Sequence, residues 1–132
     1  MVTLIIQSSS ATVGIAIILC GQGLISLEAG IAVMMGAEIG TCSDTLLVTL
    51  GKNMAAVKVG VFHLIFNIAS VIVGVLLVDQ FADLTIWISG SETQKQMLAN
   101  AHLLFNLMGT LVAVPILLLF FKPKEKEMAE NS

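Results

Sequence analysis

The sequence contains no arginine and little charge of either sign: six Lys and nine Asp or Glu in 132 residues, 11% of the chain. A soluble domain of this size carries roughly 25% charged residues. With neither arginine nor a basic patch, nucleic-acid binding has no support. The formal net charge of −3 carries little information, because much of the charge lies in residues 122–132. Cysteine is scarce as well. Cys20 and Cys42 stand in apolar segments without C-x-x-C spacing or adjacent His, which argues against a zinc site or a disulfide framework. Both read as small packing residues. The opening apolar run lacks a basic leader and a small-residue cleavage site, so it does not read as a signal peptide. No G-x-S-x-G motif occurs, and Ser8, Ser9 and Ser10 have no base nearby in sequence. An enzyme is therefore not expected, and no cofactor is implied.

What remains is apolar: 57% of residues, with a mean hydropathy of +0.99. Four long apolar stretches fill most of the length, and roughly 20 apolar residues cross a bilayer. These features predict an all-α integral membrane protein, with a membrane domain over residues 1–121 and a charged, disordered tail over 122–132. The first stretch, residues 2–19, is interrupted by Gln7-Ser8-Ser9-Ser10 and Thr12 and broken by Gly21-Gln22-Gly23. The second, 24–50, opens near Ser26 or Leu27 with Glu28 at a favourable helix start, and contains Glu38 and Asp44. The third and fourth, 54–78 and 97–121, are clean spans, the last with a kink expected at Pro115. Between them, residues 79–96 are mixed and read as an external connection, with Trp87 suited to a membrane interface. Lys52, Lys58, Lys122, Lys124 and Lys126 flank the clean pair on one side. The positive-inside rule then places the tail in the cytoplasm.

An internal repeat is visible. His63-Leu64-Ile65-Phe66-Asn67 is matched by His102-Leu103-Leu104-Phe105-Asn106. In both copies His and Asn are four apart and share a helix face. A structural role for these pairs is preferred over contact with a solute.

Two constellations bear on chemistry. Gln7-Ser8-Ser9-Ser10 offers three hydroxyls and an amide within little more than one helical turn. Hydroxyl and carbonyl oxygens suit hard cations, and N–H groups at a broken helix start attract anions. Transporters place such broken helices near the bilayer midplane; a helix–helix hydrogen-bonding seam is the alternative. The second constellation, Gly36-Ala37-Glu38-Ile39-Gly40-Thr41-Cys42-Ser43-Asp44, has glycines spaced for close helix approach. It also holds two carboxylates, each costing roughly 2.5–3.5 kcal/mol at a helix centre. With Thr41 and Ser43 beside them, a cation site is a reasonable reading.

QSSSAT, then GAEIGT, then A-x-x-x-G-x-x-H-L-I-F-N, in that order over nearly all of residues 3–118, resembles the type II sodium–phosphate cotransporter family in its bacterial form. That family has two inverted repeats, each with QSSS on a re-entrant hairpin, a GANIGT-like stretch and a helix bearing H-x-x-F-N. The resemblance implies sodium-coupled symport of inorganic phosphate. Gln7, Ser8, Ser9 and Ser10 would contact substrate. Ser9, Ser10, Thr41 and Asp44 would hold sodium, the coupling ion. Gly36, Glu38, Gly40, Asn67 and Asn106 would support them. Glu38 stands where the family usually has Asn, and Asp44 where Thr is common. One QSSS copy is present, so the expected partners are phosphate, sodium, the bilayer and a second QSSS repeat, from a missing N-terminal half or another copy. A non-transporting membrane interaction subunit is the reading from a different class.

Overall fold

The structure, a computed structural model, describes residues 8–120. Gln7 and the 122–132 tail lie outside the described residues. The described residues form five α-helices and no strand. The first, α1, covers Ser9–Gly21 and opens at Ser8, whose extended backbone and Oγ cap the helix by accepting from the Ala11 N–H at 3.2 Å. It ends where expected: Gln22 closes the last turn, and Gly23, with φ at 70°, turns the chain in a conformation disfavoured by a side chain. Helix α2, Leu27–Thr49, starts on Ser26, whose Oγ accepts from the Ala29 N–H at 3.2 Å. Glu28 lies in its first turn, at the positive end of the helix dipole. Helix α3, Met54–Leu76, is capped by Asn53, whose Oδ1 accepts from the Ala56 N–H at 2.9 Å.

The chain then departs from expectation. Residues 79–96 are not simply a connection, because α4 spans Val78–Ser89. Phe81, Ala82, Thr85 and Ser89 fall on one face and are buried, while Asp79, Asp83 and Trp87 are exposed. The charges interrupt the apolar run, yet the spacing is helical. The buried Thr85 hydroxyl is satisfied by donating to the Phe81 carbonyl at 2.8 Å. Gly90, with φ at 63°, ends α4. Helix α5, Gln94–Phe120, opens with a reciprocal cap: Gln96 N–H donates to Thr93 Oγ1 at 3.4 Å, and Thr93 N–H donates to Gln96 Oε1 at 3.2 Å. The helix continues past Pro115 to Phe120.

Helices α2, α3 and α5 are long and apolar enough to cross a membrane. At 1.5 Å per residue the shortest of them is about 35 Å, against a hydrocarbon core of about 30 Å. Helix α1 is about 20 Å long and falls short of a full crossing.

The fold is centred on α2, which packs against each of the other four helices. Val13, Ala16 and Cys20 of α1, Ile31, Met34 and Met35 of α2, Phe81 and Ala82 of α4, and Leu98 and Ala101 of α5 form one buried apolar cluster. The outer faces of α3 and α5 expose Ile65, Ile72, Leu76, Leu103, Leu111 and Leu118. Such a surface suits lipid rather than water.

Close helix approach does occur at glycine, though not at Gly36, which is exposed with open space where a side chain would start. It occurs instead at Gly30, against Leu98 of α5, and at Gly74, where a Cβ would meet Met35 at 2.8 Å and Phe105 at 3.3 Å. Gly40 is buried.

Candidate functional site

The serine segment sits at the open end of the α1–α2 hairpin. Ser8 and Ser9 are half-buried and Ser10 is exposed. The N–H groups of Ser9 and Ser10 begin the helix, so the helix itself supplies no carbonyl for them. Ser8 Oγ accepts from Ala11 N–H and keeps its own proton to donate. The Thr12 hydroxyl bonds back to the Ser8 carbonyl at 3.3 Å. This end of α1 thus presents N–H and O–H donors together with hydroxyl oxygens.

Helix rise puts the second constellation at a matching distance from the α1–α2 turn. Ser9 is about 18 Å along α1 from the Gly21 turn, and Gly40 and Thr41 are about 20 Å along α2 on the other side of that turn. Because the two helices pack as a hairpin, Glu38 to Thr41 lie level with the serines. Asp44 lies about one turn further along α2. Thr41 and Asp44 are both half-buried. The Thr41 hydroxyl donates to the Ala37 carbonyl at 3.3 Å, and Ser43 donates to Ile39 at 3.0 Å. Each hydroxyl spends its proton on the helix and keeps the lone pairs of its oxygen. Among the described residues no hydrogen bond links Ser8, Ser9 or Ser10 to Thr41 or Asp44; they share a level rather than a contact. No group of three or more His, Cys, Asp or Glu among the described residues is placed to hold a metal ion. Oxygen ligands from hydroxyls and carbonyls fall outside that kind of cluster.

The two His–Asn pairs are organised alike. Asn67 Nδ2 donates to the His63 carbonyl at 3.1 Å, and Asn106 Nδ2 to the His102 carbonyl at 3.0 Å. Both pairs address α2. His63 Nε2 of α3 lies 3.5 Å from Cys42 Sγ, and His102 Nε2 of α5 lies 2.9 Å from Glu38 Oε1. Asn106 adds a longer donation to the same Glu38 oxygen at 3.4 Å. Glu38 and Cys42 are themselves four residues apart, so one edge of α2 meets one repeat copy and the next turn meets the other. Sequence reasoning named Glu38, Asn67 and Asn106 but did not join Glu38 to His102, and it read Cys42 as packing alone. The i, i+4 spacing of Glu38 and Cys42, matching that of each His–Asn pair, is the signal that was available.

A further feature is an apolar groove of about 340 Å³ between α3 and α5, lined also by Met35 and Phe81. Phe81 and Phe105 meet there edge to face, with ring centroids 6.2 Å apart. Ser70 is its one hydroxyl.

Helices of bilayer length around a short capped hairpin, with apolar outer faces, define a multi-pass all-α membrane protein. The chain belongs to the Na⁺/Pi-cotransporter family: the family model matches residues 1–110. It is 29% identical over 122 residues to the uncharacterized protein YqeW of Bacillus subtilis (strain 168), covering 92% of this chain and 39% of that protein. It is 32% identical over 96 residues to the sodium-dependent phosphate transport protein 2C of Rattus norvegicus, covering 63% of this chain and 16% of the rat protein. With the Homo sapiens protein of the same name it shares 32% identity over 79 residues, 57% of this chain and 13% of the human one. The chain thus spans about two-fifths or less of these relatives. No solved structure matches it.

Proposed function

We propose that this chain contributes one QSSS half of a sodium-coupled symporter of inorganic phosphate in the cytoplasmic (inner) membrane, with its C-terminal tail in the cytoplasm. The observation that carries the reading is the capped start of α1 at Ser8, set level with Gly40 and Thr41, in a member of the Na⁺/Pi-cotransporter family. Phosphate is held by the Ser hydroxyls and by the opening N–H groups of α1, which suit an anion by direction and by helix dipole. Gln7 adds its amide. Sodium is held by oxygens of Ser9, Ser10, Thr41 and Asp44, and its charge offsets that of the anion. The short α1, about 20 Å long, acts as the re-entrant arm of the hairpin. A second QSSS segment, from another part of the protein or another copy, completes the site by inverted-repeat symmetry. Transport proceeds by alternating access, aided by the membrane potential by about 2.3 kcal/mol per net charge per 100 mV.

Phosphate uptake in cells that depend on this protein tests the reading. Ser9→Ala is expected to cut sodium-stimulated uptake about ten-fold or more, the effect of losing one charge-assisted contact of roughly 1.5–3 kcal/mol. Unchanged uptake kinetics in that variant would remove Ser9 from the site.

A further inference from the structure

We propose that His63 and His102 form a two-point clamp that fixes the rotation of α2 over Gly40 to Asp44, which makes them positioning residues for the Thr41 and Asp44 oxygens. The clamp stands on its contacts alone; its bearing on sodium rests on the function proposed above.

The need for a clamp follows from where the core stops. Leu27, Ile31, Met34, Met35 and Ala37 of α2 belong to the buried apolar cluster, and Ile39 packs at its edge. Beyond Ile39 no residue of α2 joins that cluster, and from Ser43 to Thr49 none is buried. Apolar contact would in any case hold this half weakly, because lipid tails are as apolar as Leu and give helix pairs no hydrophobic drive. A directional polar contact sets rotation where packing does not.

Two such contacts meet α2 here, from two different helices. Glu38 Oε1 accepts from His102 Nε2 of α5 at 2.9 Å and from Asn106 Nδ2 at 3.4 Å. One turn later Cys42 Sγ, buried, lies 3.5 Å from His63 Nε2 of α3. At about 100° per residue, Glu38 and Cys42 are only about 40° apart around the helix. Helices α5 and α3 thus hold one edge of α2 at two successive turns, and α2 cannot turn about its axis without lengthening a contact.

The clamped turn carries the oxygens assigned to sodium. Glu38 and Cys42 bracket Thr41, whose hydroxyl donates to the Ala37 carbonyl at 3.3 Å. That bond fixes the Thr41 oxygen to the helix, and the clamp fixes the helix. Asp44, half-buried, follows within the next turn. A binding constellation has to be held within about 0.5 Å and 10–20° of its working geometry. At a side-chain radius of about 5 Å, a rotation of about 15° moves an oxygen by about 1 Å or more. What Glu38 supplies to the clamp is an accepting oxygen, which an amide also supplies.

Two measurements test this. Backbone N–H dipolar couplings of isotope-labelled protein in aligned bilayers read the rotation of each part of α2. Replacing both ties, with Glu38→Leu and His63→Leu together, should change the couplings of residues 38–49 by the equivalent of about 15° or more, while those of residues 27–37 stay as in wild type. Glu38→Gln should leave both sets unchanged. If the double variant lost the couplings of residues 27–37 as well, Glu38→Leu alone against Glu38→Gln would decide. Unchanged couplings over 38–49 without the ties, or a shift in Glu38→Gln equal to that in Glu38→Leu, would overturn the clamp whether or not phosphate is transported. The second measurement is sodium-driven phosphate uptake by the complete transporter. Glu38→Leu and His63→Leu should each raise the KM for sodium about ten-fold and change the KM for phosphate at saturating sodium by less than about two-fold. His102→Gln, which keeps a donor, should stay near wild type. Equal shifts in the two KM values, or no shift in either, would remove the positioning role. If wild type showed no sodium-driven uptake, the proposed function and the role in sodium binding would both fail, and the dipolar couplings would decide the clamp.

Discussion

At the scale of single residues, the caps and the polar contacts within α2 set what the site can do. Ser8 caps α1 through Ala11, so Ser8→Ala should cost about 1 kcal/mol of stability, read by thermal unfolding in detergent, while Ser8→Asp should restore most of it. The two variants separate capping from anion contact, because aspartate caps the helix but repels phosphate. If Ser8→Asp recovered both stability and uptake, Ser8 would be only a cap. Much at this scale was legible beforehand. Ser26 followed by Glu28 announced the start of α2, and Gly21-Gln22-Gly23 announced the end of α1. The contacts between Glu38 and His102 and between Cys42 and His63 were not legible. Periodicity assigns residues to a helix face, but it does not say which face meets which when the partners are tens of residues apart.

At the scale of elements, α2 is the shared wall and the glycines set how closely its neighbours approach. Gly74 has Met35 and Phe105 where a side chain would begin, so Gly74→Val should overpack the α2–α3–α5 junction and cost about 1–3 kcal/mol. Gly36→Ala, at an exposed position with open space around it, should be tolerated and even gain several tenths of a kcal/mol from helix propensity. Comparing the two by thermal unfolding separates glycine spacing in the sequence from glycine packing in the fold; equal effects would contradict the helix arrangement. The element that the sequence concealed is α4. Its apolar face is only one side of a short helix, and Asp79, Asp83 and Trp87 made the stretch look like a loop. Trp87 is 81% exposed and lies outside the core. Its fluorescence should be quenched best by groups attached at headgroup depth, as an interfacial tryptophan requires. Strongest quenching from the bilayer centre would contradict that placement.

At the scale of the whole molecule, the all-α membrane character came directly from apolar content and stretch length, and the matched His–Asn repeat marked corresponding positions on what are α3 and α5. In the structure both repeat copies address α2, one through Cys42 and the other through Glu38. The sequence could not supply the shared level of the α1 serine end with Gly40 and Thr41, because that depends on the length of the hairpin turn and on α1 and α2 both being continuous. The chain covers about two-fifths or less of its relatives, and the proposed site needs a second QSSS segment. The most direct test is therefore uptake of radioactive phosphate into proteoliposomes that hold this chain together with its second QSSS segment, with and without an inward sodium gradient. The account predicts uptake that rises about ten-fold or more with the gradient and falls back in Ser9→Ala. Uptake indifferent to the gradient, or equal in wild type and Ser9→Ala, would contradict it.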